Sequence, residues 1–219
     1  MYFSLIPDIE YAQSPIRYPF SESDFVVAKN FFRRYQVDPN IFEYSVFFNK
    51  YAILDGERIE GLAAAFYGDQ FLDWIIILTN NLINPLFDFP LDSNTLKKYA
   101  EKKYGEDECY SGIHHYETLG YTNNEGTVLL ESGLVVDQNF YQSSHNFFNI
   151  NGFVTVPGIL LSTPVTNFEH ETAENEKKRE IYILRPDLIE NFINDFKKNN
   201  LYQESDDFIS KRLKRSSRF

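Results

Sequence analysis

The sequence predicts an α+β chain, and three observations carry that reading. A short strand runs into two tightly coupled helices between Tyr51 and Asn81. After Gly112 the apolar period shortens to the alternation of strands. Near the end, a strand at Glu180–Leu184 leads into an amphipathic helix from Pro186 to Lys198.

Taken in order, residues 1–20 hold Pro7, Pro15 and Pro19 among aromatic and aliphatic side chains, which suits an extended N-terminal arm. The arm has too few regular apolar positions to fold alone, so Tyr2, Phe3, Leu5, Ile6, Ile9, Tyr11, Tyr18 and Phe20 are expected to order against a partner. Ser21 and Asp24 offer caps for a helix over residues 22–35, ended by Val37-Asp38-Pro39-Asn40. Residues 42–49 are aromatic and β-favouring, and lead into the strand at Tyr51 and Ile53. A turn at Asp55-Gly56 follows. Ile59, Leu62, Ala63 and Phe66 then form one apolar helical stripe. Gly68 suits a left-handed cap, and Asp69 can start the next helix, Phe71–Leu78, at once. That helix is apolar on almost every side and must be buried, with Trp74 inside. The expected core residues here are Ile59, Leu62, Phe66 and Trp74, and Phe87–Leu91 is expected to be the closing strand.

Ser93 is expected to cap a polar helix, Asn94–Tyr104, that stops at Gly105. Runs at 112–121, 127–131 and 134–137 read as a small antiparallel β region, and 138–166 as irregular. Residues 167–179 read as helical. Pro186 suits the first turn of the last helix, whose apolar face is Leu188, Ile189, Phe192, Ile193 and Phe196. The segments so defined are 1–49 (arm and helix), 50–95 (the strand–helix–helix–strand module), 96–166 (helix and β-rich region) and 167–219 (strand, helix and basic tail).

Composition narrows the function. A hydrophobic content of 43% with 17% aromatics excludes a disordered chain, and this many rings exceed what a small core absorbs, which points to contact surface. A net charge of -11 argues against nucleic-acid binding. Lys211, Arg212, Lys214, Arg215 and Arg218 make a basic tail, expected to be solvated or to dock an acidic neighbour. The lone Cys109 cannot form an intramolecular disulfide. The N-terminus lacks a basic signal region, and Phe71–Leu78 is far short of the ~20 residues of a membrane span. A soluble protein assembled in a cytoplasm is the expectation, with no membrane partner.

Chemistry is not signalled. His114, His115, His145 and His170 show no metal-ligand spacing, and a strand would point His114 and His115 to opposite faces. No nucleophile elbow, dinucleotide fingerprint or phosphate loop is present. The expectation is no enzyme, no cofactor and no metal.

Tyr51, Ile53, Gly56, Glu57, Ile59, Leu62, Ala63, Tyr67 and Gly68 stand in an order that resembles the lysin-motif (LysM) module, with one extra residue before Tyr67. Met1–Ala12 resembles the opening of the small baseplate wedge subunit of T4-like contractile phage tails (the gene fifty-three product). Ala64–Leu78, Glu174–Lys177, Ile181–Leu184 and Pro186–Lys198 are similar to further segments of that family, in the same order. The chain is slightly longer than the family pattern, with the extra residues placed in the β region and the basic tail. The resemblance implies a late structural protein of the virion, present in several copies in the tail baseplate and assembled in the host cytoplasm. It implies a role in joining wedge proteins and clamping neighbouring wedges around the hub, with other wedge proteins as partners. The candidate partner contacts are Tyr2, Phe3, Ile6, Ile9, Tyr11, Leu86 and Phe87. The alternative is LysM-type binding of peptidoglycan glycan, through the loops at 55–58 and 80–85. Leu86, Phe87 and Phe89 beside the second loop suit protein contact better than sugar hydroxyls.

Overall fold

The computed structural model describes residues 2–12, 25–33, 35–38, 40, 46–149 and 152–215. The chain divides into two compact units, Met1–Phe89 with Glu180–Phe219, and Pro90–Arg179. These units cut across the four segments drawn from the sequence.

The first unit begins with a 3-10 turn at Tyr2–Ser4, then β1 (Asp8–Ala12), β2 (Phe25–Lys29) and β3 (Phe48–Ala52). Helix α1 (Ile59–Tyr67) follows, then a 3-10 turn into α2 (Asp73–Thr79), and the single-turn α3 (Pro85–Asp88). Gly68 takes φ 76°, a left-handed conformation that costs a residue without Cβ little, and the helical axis bends by 112° there. Asp69 accepts from Phe71 N, as the sequence suggests.

The second unit holds α4 (Ser93–Tyr104), α5 (Glu106–Ser111), β4 (Ile113–Thr122), β5 (Val128–Val136), α6 (Gln138–Gln142), β6 (Ser144–Asn149), β7 (Gly152–Pro157), α7 (Gly158–Leu161), β8 (Ser162–Thr166) and α8 (Asn167–Lys177). The chain then returns to the first unit with β9 (Glu180–Leu184), α9 (Ile189–Asn199), β10 (Phe208–Ser210) and β11 (Leu213–Arg215).

In the first unit, β3 and β9 pair antiparallel from Phe48↔Leu184 to Ala52↔Glu180. The expected closing strand at Phe87–Leu91 is not formed. Asn84 caps Leu86 N and Pro85 sits in the first turn, so Phe87 and Asp88 belong to α3. β9 closes the module instead, and the whole of Pro90–Arg179 lies between α2 and that strand in sequence. Helix α2 is apolar all round because it serves two clusters. Ile76 joins Ile53, Ile59, Leu62, Ala63, Phe89, Ile181 and Ile183, while Trp74 and Ile75 join Phe48, Leu184 and Phe196. Asn80 ties α2 to β9: its amide donates to Tyr182 O (2.8 Å) and accepts from Tyr182 N (2.7 Å), as a neighbouring strand would.

Two further expectations about this unit are corrected. The helix over 22–35 is not formed where it is described: residues 25–29 are β2, paired antiparallel with β1 from Asp8↔Lys29 to Ala12↔Phe25, and residues 31–32 form a turn. The β-branched pair Val26-Val27 and a ready partner strand outweigh the capping signal. The N-terminal arm is no free extension either. β1 is an inner strand of the sheet β10-β11-β1-β2, running parallel to β11. The basic tail enters the same sheet: Arg215 bonds Glu10 (2.8 Å), Arg212 donates to Ser4 O (2.8 Å) and Lys214 lies 3.6 Å from Asp207. Tyr18, Phe20 and Arg218 lie outside the described residues.

In the second unit, the cap of α4 is Asp92 rather than Ser93, accepting from Asn94 N and Thr95 N. The expected small β region is a three-stranded antiparallel sheet, β5-β4-β8. The runs at 127–131 and 134–137 belong to one strand, β5, whose register on β4 shifts near Gly133, where φ is 82°, and again between Leu130 and Val128. The stretch 138–166, expected to be irregular, contains α6, the β6–β7 ladder, α7 and β8. Its prolines mislead: Pro157 ends β7, and Pro164 sits in the edge strand β8, where a missing N–H is tolerated. At Gly158 a Cβ would lie 2.0 Å from Phe140 O, so only glycine fits. Asn175 is buried and holds both backbone groups of Leu91, at 2.8 and 3.0 Å. Thr166 and Glu169 form a capping box at α8.

Candidate interaction surfaces

The Asn80–Asp88 segment builds a rigid apolar projection from polar residues. Asn81 takes φ 52° and Leu82 N reaches back to Ile77 O (3.0 Å), so Leu82 packs on the core and the chain turns outward. The Asp88 carboxylate then accepts from Ile83 N and Asn84 N, both at 2.8 Å. With its backbone fixed this way, the segment presents Ile83 (72% exposed), Leu86 (78%) and Phe87 (59%) to solvent. With the backbone already fixed, docking of these apolar side chains costs chiefly their own rotamer freedom and not the ordering of a loop.

A second surface gathers at the 30–32 turn. Asn30 N donates to Pro7 O, its Nδ2 donates to Tyr202 Oη (2.8 Å), and its Oδ1 accepts from Phe32 N (3.1 Å). Phe31 and Phe32 are thereby held exposed, and the Phe3 ring meets Phe31 edge-on at 5.8 Å. The expected helix hid this turn, although a Phe pair directly after a polar residue was its signal.

The candidate contacts from the sequence separate into two groups. Phe3, Tyr11, Leu86 and Phe87 are exposed. Ile6 is 3% exposed, and Tyr2 packs its ring on Trp74 (5.5 Å) and Phe196 (5.8 Å), so both serve the interior of the first unit. Ile9 is half-buried in β1. Of the expected core residues, Ile59, Leu62 and Trp74 are buried, whereas Phe66 lies on the rim against Tyr51, ring to ring at 5.1 Å. In the second unit Phe148 and Phe153 face each other across β6 and β7 and are also exposed, a pair the irregular reading of that region had concealed.

The 55–58 loop is occupied with itself. The Glu57 carboxylate accepts from Tyr51 Oη (2.8 Å) and Leu54 N (2.8 Å). Its hydrogen bond is also the main reason the Tyr51 phenol is pushed up.

Polar side chains also converge in the second unit. Burial works to raise the Glu171 carboxyl, but hydrogen bonds from Lys103 (2.6 Å) and Tyr104 (2.8 Å) outweigh it and hold the group below its ordinary value. Near this pair, His114, His115 and His170 come together with ligand nitrogens within 4.8 Å of one another. Partial desolvation by its neighbours, then the His170 and His115 rings, push the imidazole of the exposed His114 down. The strand alternation that was to separate His114 from His115 fails at this point. Among the described residues, no single helix is long and apolar enough to cross a membrane.

A comparison with curated proteins gives no match. The family model described as base plate wedge protein 53 matches residues 1–199, which leaves β10 and β11 beyond it. With all but the last stretch of the sequence matched, the chain belongs to the base plate wedge protein 53 family and is a structural protein of the virion's tail baseplate.

Proposed function

We propose that this subunit joins wedge proteins to one another and clamps neighbouring wedges around the hub, using separate apolar surfaces for separate partners. The observation that carries this reading is the Ile83, Leu86 and Phe87 projection, which is exposed yet held by the Asp88 and Asn84 bonds. Interfaces concentrate binding energy in a few such anchors. The Phe31-Phe32 turn supplies a second surface on the same unit.

Co-expression with the other wedge proteins of the same phage, followed by size exclusion, tests this. Leu86→Ser with Phe87→Ser should weaken association by ~1–3 kcal/mol per anchor while leaving the isolated protein folded. Assembly at the wild-type level would overturn the assignment of this surface.

LysM-type glycan binding is the second reading, and the order β3, α1, α2, β9 favours it. Two observations weigh against it. Glu57 is committed to its own loop, and the second expected groove wall, 80–85, runs directly into apolar α3. Sedimentation of the purified protein with peptidoglycan, or micromolar binding of N-acetylglucosamine oligomers, would decide for the glycan reading.

A further inference from the structure

We propose that His114, His115 and His170 form a binding site for a divalent first-row transition metal, with Zn²⁺ as its natural occupant.

The backbone brings these three together by two devices. Along β4 and β8, Ile113 pairs with Thr166 while His115 pairs with Val165, so one extra residue, His114, is accommodated on β4. Such a bulge breaks the up-down alternation, and neighbouring side chains then share a face. His114 Nδ1 and His115 Nδ1 accordingly lie 2.9 Å apart. The second device is the tight junction from β8 into α8. Asn167 N donates to Gly112 O (3.0 Å) and the Asn167 amide donates to Glu108 O (2.8 Å). A Cβ at position 112 would lie within 2.6 Å of the Asn167 amide nitrogen, so glycine permits this approach. With the start of α8 fixed there, His170 in its first turn stacks on His114, centroids 3.8 Å apart, and stands edge-on to His115 at 5.7 Å.

The donor set suits the ion. Imidazole nitrogens are good ligands for Zn²⁺, Ni²⁺ and Cu²⁺, and three of them with an open fourth position make a common zinc arrangement. Tetrahedral Zn–N bonds of ~2.0–2.1 Å require ligand nitrogens ~3.3 Å apart. The Nδ1 pair at 2.9 Å is slightly inside that spacing, and the widest separation, up to 4.8 Å, is outside it. Because His114 and His170 are stacked nearly parallel, at 8°, one ring must rotate about χ2 to aim its lone pair at the shared ion. His114 is exposed and has room to do so. The ion would replace the contact between the two Nδ1 atoms and would cross-link the bulge of β4 to α8. Glu171 and Glu174, which couple electrostatically to His114 and His170, are already engaged by Lys103 and Lys177, and Asp137, which lines the same hollow as His114 and His115, caps α6 through Phe140 N, so the fourth position falls to water.

The test is titration of the untagged full-length protein with Zn²⁺ at neutral pH, by calorimetry and by competition with a chromophoric chelator. One ion per chain is expected at micromolar affinity or tighter. His170→Asn and His115→Asn should each weaken binding by at least ~10-fold, whereas His145→Asn, outside the cluster, should leave it unchanged. X-ray absorption of the loaded protein should show imidazole scattering from three rings. No binding below ~100 µM, or micromolar binding that survives both cluster variants in proteins of unchanged circular dichroism, would overturn the proposal.

Discussion

Replacing Asn80 with alanine should open the seam between α2 and β9. The side chain makes three hydrogen bonds in the structure: Nδ2 to Ile76 O (2.9 Å), Nδ2 to Tyr182 O (2.8 Å) and Oδ1 from Tyr182 N (2.7 Å). On its other flank β9 is paired with β3, so Asn80 stands where a third strand would continue the ladder. Truncation removes the side-chain partner of both Tyr182 backbone groups. A buried group left unsatisfied costs ~1–3 kcal/mol, and the half-buried position admits some water, so the two together come to ~2–4 kcal/mol. Trp74 is the chain's single tryptophan and lies in the same unit, 6% exposed, so a urea titration followed by its emission reports this unit alone. Asn80→Asp supplies a control with a pH signature. Its carboxylate can still accept from Tyr182 N but faces two carbonyl oxygens, which raises its folded-state pKa above the unfolded value. The variant should therefore gain stability as pH falls through that raised value, because the protonated form can donate. A loss below ~0.5 kcal/mol for Asn80→Ala would refute the strand-mimic argument.

Other predictions follow from the same packing. Trp74 emission should be blue-shifted in the native protein, and Trp74→Ala should cost ~3–5 kcal/mol by urea denaturation followed with circular dichroism. Gly158→Ala should destabilise the second unit, since Phe140 O stands 2.0 Å from the new methyl, and limited proteolysis should then cut within Pro90–Arg179 first. Deleting residues 2–12 should unfold the first unit and red-shift Trp74, because β1 is an inner strand and Tyr2 packs on that indole; retained native emission would restore the free-arm reading. The Glu171 carboxyl is held below its ordinary value, so its contribution is present above the unfolded range near ~4.3 and is lost as pH falls through the folded value. Glu171→Gln should flatten the acid limb of stability, read by circular dichroism between neutral pH and pH ~3.

The sequence by itself determined the elements whose signals are local. The α1 stripe, the Gly68 cap, the all-apolar α2, and the strand–helix pair from Glu180 to Asn199 are each a short contiguous stretch, and periodicity with capping chemistry specifies them. The order of the same residues also carried the family resemblance. What the tertiary structure decided is everything that depends on a partner distant in the chain. β2 is a strand because β1 offers it a ladder, and β1 stays in place because β11, some two hundred residues later, pairs with its other edge. The module is closed by β9 rather than by Phe87–Leu91, which freed Leu86 and Phe87 to project outward. Likewise the His114–His115 pair reads as split across a strand until the register with β8 adds one residue and turns both rings to His170. A local pattern cannot encode which strand will arrive beside it, because pairing energy is realised only after the chain between has closed its loop.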